Sequence, residues 1–434
     1  MNGKQVGTSA QRVTWSKGRR AYALCMIGVV LALFQVDRQV LTISLEPIKH
    51  DLGVSDAMMG IMSGTAFGFL FIVAGIPIAR LSDRGNRRSL LSLCTGVMSA
   101  AAIGCGFATG YVQLMLARAF VASGEAGTPA ASQSILADLY PAERRGTASG
   151  AVAAFASIGI AIGLFAGGWL NHTIGWRGAF IAVGIPGLAI ALILHLSVSE
   201  PPRGMSDSPT TDDDHVPRFN ELIRFAAVSR VVRRILLLST LSTFAGYGIL
   251  TWSPTFLLRV HGMPIDQVGL WMGTATAFGF FSGNLLSGWL SDHVGKGDSA
   301  ASYAIATWGT FAAFPFALLF LFAPSATISL VAMAAMNVLL TFWLAPTQAA
   351  LMTASPPRMR GALGMMWAIS QTLIGLGLGP LAIGVMNDAL AAKYGLEAIR
   401  YSMGLMSVMI VVAGIAAFRV RSALGRERNG GTRI

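Results

Sequence analysis

Four ionisable residues stand inside stretches otherwise apolar enough to cross a membrane. Asp37 and Arg38 are neighbours in LFQVDRQVLTISL, residues 33–45, and Arg118 and Glu125 lie in RAFVASGEAGTPAAS, residues 118–132. A charge at the bilayer centre costs about 2.5–3.5 kcal/mol on insertion scales, so each needs a partner or a water-filled cavity. Neighbours on a helix point about 100° apart, so Asp37 and Arg38 must recruit other helices. Arg118 and Glu125 are seven apart and share one face. Counted from the span centres at roughly 1.5 Å per residue, Asp37 and Arg118 lie at similar height, with Glu125 near the midplane. The spacing favours Asp37 with Arg118 and Arg38 with Glu125. Two acids and two bases make a neutral set, which is either a static staple or a proton and substrate site. In the second case a carboxylate facing a gated cavity is desolvated in one state and ion-paired in another, so its proton affinity follows the state. Protonation would free an arginine for an anionic group. Glu125 and Asp37 are the candidate proton-coupling residues, and Arg38 and Arg118 the candidate anion receptors.

The elements holding these residues must be apolar helices. The chain has 434 residues and is 54% hydrophobic with only 12% charged residues, where a soluble domain carries about 25%. A span takes roughly 20 residues. Twelve stretches qualify: 21–45, 55–80, 88–107, 110–139, 146–171, 177–198, 234–258, 266–291, 300–322, 326–353, 361–386 and 398–419. An all-α integral membrane protein is the expected fold class. The first stretch follows Lys17, Arg19 and Arg20 like a secretion signal, but it is too long and carries Asp37 and Arg38.

A net charge of +12 would point a soluble protein towards nucleic acid, but its placement argues otherwise. With the N-terminus inside, 25 of the 32 lysines and arginines fall in inner segments. The outer loops hold Lys49, Arg177, Arg259, Lys393 and Arg400. This asymmetry predicts a multi-pass protein of the plasma (inner) membrane with both termini cytoplasmic, and no nucleic-acid partner. Cys25, Cys94 and Cys105 show neither metal spacing nor a disulfide framework, and no cofactor motif is present.

One polar interruption divides the chain. Residues 199–233 begin SEPPRGMSDSPTTDDD and end in a segment, Phe219 to Val232, that could lie as an amphipathic helix on the inner membrane surface. The predicted organisation is a tail over 1–20, six spans over 21–198, this linker, six spans over 234–420 and a tail over 421–434. The halves repeat. ARLSDRGNRR at 79–88 and GWLSDHVGKG at 288–297 share Leu-Ser-Asp at an offset of 209 residues. RRGTASG at 144–150 is echoed by RMRGALG at 358–364, each opening the fifth span of its half. Paired six-span halves describe an alternating-access transporter with its substrate near the midplane.

With these motifs the chain resembles the major facilitator superfamily over essentially its whole length. That family's loop motif is Gly-x-Leu-Ala-Asp-Arg-x-Gly-Arg-Lys/Arg. The first copy keeps Leu81, Asp83, Arg84, Arg87 and Arg88 but has Ala79 and Asn86 where the family has Gly. The second keeps Gly288, Leu290, Asp292, Gly295 and Lys296 but has His293 and Gly297 at basic positions. The resemblance implies two six-helix bundles related by pseudo-two-fold symmetry. It also implies a latch closing the inner face: Asp83 against the start of the eleventh span, and Asp292 against the fifth near Arg144 and Arg145. A helix N-terminus favours such an anion.

Within the superfamily, Asp-Arg in VDRQVLTISLEPIKHDLG, together with Arg118 and Glu125, resembles the spinster-like branch. That likeness implies proton-linked movement of lysolipid- or sphingolipid-like amphiphiles. Spans seven to twelve carry no deep charge. Their candidate substrate residues are Tyr247, Trp252, Asn337, Gln348 and Gln371, with Asn284, Trp343 and Trp367 as further possibilities. One charged wall facing one mostly apolar wall suits an amphipathic ligand. The expected partners are such a small organic substrate, protons and membrane lipids, with the chain itself a monomer. Competing readings are a broad drug or organic-acid transporter of the same fold, a membrane enzyme, and a non-transporting sensor. The enzyme reading lacks a nucleophile–base pair, a metal-ligand cluster and a Walker motif.

Overall fold

Long apolar runs punctuated by capping residues give the helices their bounds. A computed structural model describes residues 15–203, 205, 219–295, 299–356 and 359–428. It contains α1 (Lys17–Leu52), α2 (Asp56–Gly60), a π-helical turn (Ile61–Thr65), α3 (Ala66–Arg84), α4 (Arg87–Gly106), α5 (Tyr111–Leu139) and α6 (Ala142–Ser197). After α7 (Phe219–Val228) come α8 (Arg230–His261), α9 (Ile265–Gly295), α10 (Ser299–Phe322), α11 (Ala326–Leu340) and α12 (Leu344–Ala354). The chain ends with α13 (Arg360–Ser370), a second π-helical segment (Gln371–Leu376), α14 (Gly377–Tyr394) and α15 (Ala398–Arg428).

Caps explain several of these bounds. Ser16 Oγ accepts from Arg19 N–H at the start of α1, Ser55 Oγ from Met58 N–H at α2, and Asn86 Oδ1 from Ser89 N–H at α4. The amphipathic segment forms α7, which ends at Val228 where Ser229 caps α8, four residues short of the expected Val232. At 56 residues α6 is far too long for one crossing, and it turns at Gly175, whose φ of 73° only glycine adopts freely. The break falls in the gap expected between residues 171 and 177.

Eight stretches among the described residues are long and apolar enough to cross a membrane. α1 packs on α6, and α4 on α5 and α6. In the second half α10 packs on α15 and α11, and α8 on α15 and α14. The halves meet most extensively where α6 packs on α9, and where α2 and the first π turn pack on α14; α1 also touches α8, and α3 the second π-helical segment. The two larger contacts depend on missing side chains. A β-carbon on Gly168 of α6 would lie 2.7 Å from Ile265 O, and one on Gly64 would lie 2.6 Å from Gly377 O. We call the end of the molecule at Lys17 proximal and the end at Leu52 distal.

Candidate functional site

α1 and α5 cross so that their charged faces meet. Arg118 Nη1 donates to Asp37 Oδ2 at 2.6 Å, and Arg38 Nε donates to Glu125 Oε2 at 3.0 Å. This is the pairing that helix spacing favours. Asp37 is 2% exposed, Arg118 2% and Glu125 0%, and only Arg38 reaches partly into open space. Phe34 and Phe67 flank Arg38, with its guanidinium carbon 4.3 Å and 4.7 Å from the ring centres, and Phe67 also lies 5.8 Å from Arg118. Such faces hold a desolvated cation. Asp37 Oδ1 and Glu125 Oε1 are buried and accept no hydrogen bond from a described protein group. Each carboxylate therefore spends one oxygen on an arginine and keeps the other open to a proton or a moving donor.

Arg38 and Arg118 border a cavity of about 40 Å³ between the halves. Ser63, Phe67 and Thr42 line the first-half side, and Tyr247, Thr251 and Leu376 close it from the second half. One water needs about 10–15 Å³ on this measure, so the space in this conformation holds a few waters. The second-half wall has hydroxyls and apolar groups but no charge.

A second charge cluster closes the distal end across the halves. Arg259, in the last turn of α8, reaches Glu46 of α1 through Nε at 2.9 Å and Nη2 at 2.6 Å. It also reaches Asp56 of α2 through Nη1 at 2.6 Å and Nη2 at 2.7 Å. Lys49 Nζ adds a contact to Asp56 at 2.7 Å. Beside it, the Asp388 carboxylate of α14 accepts from the backbone N–H groups of Asp56 and Ala57 at 3.0 Å and 2.8 Å.

A model of the Major Facilitator Superfamily matches residues 27–377. The chain belongs to that superfamily. The fold and this membership mark it as a membrane transporter rather than an enzyme. Its structure superposes with a TM-score of 0.86 on a bacterial homologue of the human lysosomal transporter Spinster, in inward-facing and unoccupied conformation. That protein is 28% identical, and the match covers 95% of this chain and 99% of the other. An MFS-type efflux pump of Mycolicibacterium smegmatis is 28% identical over 415 residues, 94% of each chain. A probable galactarate/D-glucarate transporter of Bacillus subtilis is 26% identical over 312 residues, 66% of this chain and 67% of that protein.

In this facilitator the other residues singled out from sequence are scattered. Tyr247 lines the cavity. Trp252 does not: it is buried in the core, and its Nε1–H donates to Pro380 O at 2.9 Å, bracing α8 on α14. Asn337 packs against Gly279 on α9, away from the cavity lining. Gln348 is exposed on α12, outside that lining. Gln371 opens the second π-helical segment and accepts from Thr243 Oγ1 at 3.2 Å, so it ties that segment to α8 instead of facing the cavity. Trp367 donates to Ser239 Oγ, and Trp343 is buried in the second-half core. The hydrogen-bonding ends of Trp252 and Gln371 are turned to neighbouring helices by their position around the helix axis, which residue type does not encode.

The proximal motif residues engage their own half. Arg87 is buried, pairing with Asp138 of α5 and, at 2.8 Å, with Glu200 after α6, and donating to Pro201 O. Arg88 N–H donates to Glu200 Oε2 and its Nη1 to Val198 O. Arg145 donates to Ala137 O and Tyr140 O at the end of α5, and Arg144 is exposed. Asp83 and Arg84 close α3 and Asp292 lies near the end of α9, but their side chains, and Lys296 entirely, fall outside the described residues. Phe67, Glu46, Asp56, Asp388 and the bridging role of Arg259 were not anticipated. The signal available was an outer arginine at the end of the seventh span, Arg259, opposite acids at the ends of other spans.

Proposed function

We propose that this chain is a proton-coupled secondary transporter of spinster-like type, moving an amphipathic organic anion by alternating access. The observation that carries this reading is the pair of buried carboxylate–arginine contacts beside a cavity whose opposite wall is uncharged. Proton arrival on Glu125 would release Arg38, and proton arrival on Asp37 would release Arg118, for the anionic group. The apolar part of the substrate would then lie towards Leu250 and Leu376. Closed distal contacts and the likeness to an inward-facing relative support a distal-closed resting conformation.

The proposed architecture is twelve spans in two bundles of six. Two of the eight apolar stretches, 144–197 and 362–425, are long enough for two crossings each, and α5 and α9 add two more. The basic residues of the inner segments support cytoplasmic termini, making the proximal end cytoplasmic, in the plasma membrane. The unit is a monomer carrying both halves of the site. The motif aspartates Asp83 and Asp292 would latch the proximal end when it closes. The own-half contacts of Arg87, Arg88 and Arg145 would then hold the helix ends that receive them.

A second reading, transport of a small organic diacid, is favoured by the small volume of the central cavity and by the sugar-diacid relative. One experiment separates the readings. Purified protein in liposomes with an imposed pH gradient is offered a lysophospholipid, a sugar diacid and a cationic drug. Gradient-driven movement of the lysophospholipid is expected, with Glu125→Gln removing the dependence on the gradient. Movement of the diacid alone would install the second reading. Full gradient-driven transport by Glu125→Gln would end the assignment of that carboxylate as the coupling group.

A further inference from the structure

A crevice of about 900 Å³ opens on the flank of the second half, far from the four charges of the central site. α8 forms its floor, and α13 with the following π-helical segment and α15 form its walls. Along α8 its centre near Leu237 lies 13 residues from Leu250 of the central cavity, roughly 20 Å at 1.5 Å per residue. Three arginines stand at its proximal mouth: Arg233 and Arg234 from the first turns of α8, and Arg419 from the last turns of α15. No acidic residue lines it. Deeper in, the surface is apolar, and Leu237, Ile374 and Phe418 are 50%, 40% and 52% exposed.

Two of the arginines are anchored. Arg233 Nη1 donates to Ala227 O at 2.9 Å, and Arg234 Nη1 donates to Arg419 O at 2.8 Å, tying α7 to α8 and α8 to α15. Among the described contacts the remaining guanidinium nitrogens of both are uncommitted. Two anchored cations and the exposed Arg419 at one end of an open apolar channel reproduce the order of parts in a phospholipid. Basic pockets between spanning helices take anionic head groups for this reason.

We propose that this crevice binds one anionic phospholipid of the surrounding leaflet, its phosphate on Arg233, Arg234 and Arg419 and an acyl chain along Leu237, Ile374 and Phe418. The occupant would rest against the outer face of the π-helical segment whose Leu376 faces the central cavity. The leaflet is the cytoplasmic one under the orientation proposed above, but the binding itself requires neither that orientation nor transport.

The test uses the full-length protein, delipidated in detergent and examined by native mass spectrometry. It is titrated with dioleoyl phosphatidylglycerol, dioleoyl phosphatidylcholine or inorganic phosphate. The wild type should retain one phosphatidylglycerol at concentrations that leave phosphatidylcholine unbound. Arg233→Gln with Arg419→Gln should weaken phosphatidylglycerol binding about 30-fold, the loss expected for two basic contacts at an anionic interface. Arg233→Lys with Arg419→Lys should restore most of it. Leu237→Trp, which puts a bulky ring across the acyl path and keeps every charge, should also reduce binding. Equal retention of the two lipids would overturn the proposal, as would wild-type binding by the glutamine pair. Displacement of phosphatidylglycerol by excess inorganic phosphate would replace it with a free-anion site. If the glutamine pair does not fold, Leu237→Trp decides alone, and unchanged lipid binding in it refutes the site.

Discussion

Two charge clusters share α1 yet differ in what they join. The central cluster, Asp37, Arg38, Arg118 and Glu125, lies wholly in the first half on α1 and α5. The distal cluster links Arg259 of α8 to Glu46 and Asp56, so it crosses between halves. Under the alternating access proposed above, pairs inside one half survive its rocking and are free to answer protons and ligands. Pairs across the bodies must break before the distal end opens. Burial alone does not say what an ion pair is for; the elements it spans do. Arg87 supplies a third case, within one half but with its donors on Glu200, Ser134, Asp138 and Pro201, a saturated set that fits a staple.

The largest effect should come from breaking the central cluster. Asp37→Asn leaves the Arg118 guanidinium buried without its anion, a loss of about 3–5 kcal/mol for a broken buried pair. A lower melting temperature in detergent, with loss of liposome transport, is the expected result. Asp37→Ala combined with Arg118→Ala should regain stability without regaining transport. Additive stability losses in that cycle would break the comparison by showing that the two residues are not energetic partners.

A smaller and different effect is expected at the distal end. Arg259→Gln should leave folding largely intact and shift the population towards a distal-open state. A coupling of about 1–3 kcal/mol corresponds to a shift of roughly 5–150-fold. Spin labels on the distal ends of α1 and α8 would read it as a longer distance component. Unchanged distances would mean that the glycine contacts between the halves, not the arginine, hold this end closed.

The smallest effects sharpen the boundary of the site. Tyr247→Phe removes one cavity hydroxyl and should weaken substrate affinity by about 0.5–1.5 kcal/mol, the net worth of one hydrogen bond, without moving the melting temperature. Trp252→Phe removes the bond to Pro380 O and should do the reverse, lowering the melting temperature and sparing affinity. Exchanged outcomes would place the indole, not the phenol, at the substrate.

Much of this was legible before any coordinates. Charges in an apolar run are costly enough to be conspicuous, and 100° per residue sets which of them share a face, so the central four could be paired on paper. Helix bounds followed from apolar length and from polar gaps such as that around Gly175. The rotation of α8 about its own axis was not legible. It turns Tyr247 into the cavity and Trp252 out of it, and five residues of spacing on an aromatic-rich helix do not settle that. Nor were the π-helical turns at Ile61–Thr65 and Gln371–Leu376, since the extra residue in each turn leaves no composition signal. On sequence alone Arg259 counts only towards topology, because a tally of loop charges ignores which acids end the neighbouring spans.

The Asp388 carboxylate has a consequence for the chemistry of the peptide backbone itself. It receives the first two amide protons of α2 from across the gap between halves, so that helix begins on a cap carried by another body. When the halves part distally, those two N–H groups must turn to solvent or find a new acceptor. Amide hydrogen–deuterium exchange at Asp56 and Ala57 then becomes a clock for distal opening, needing no label and no substrate. Asp388→Asn, with one acceptor oxygen in place of two, should run it faster.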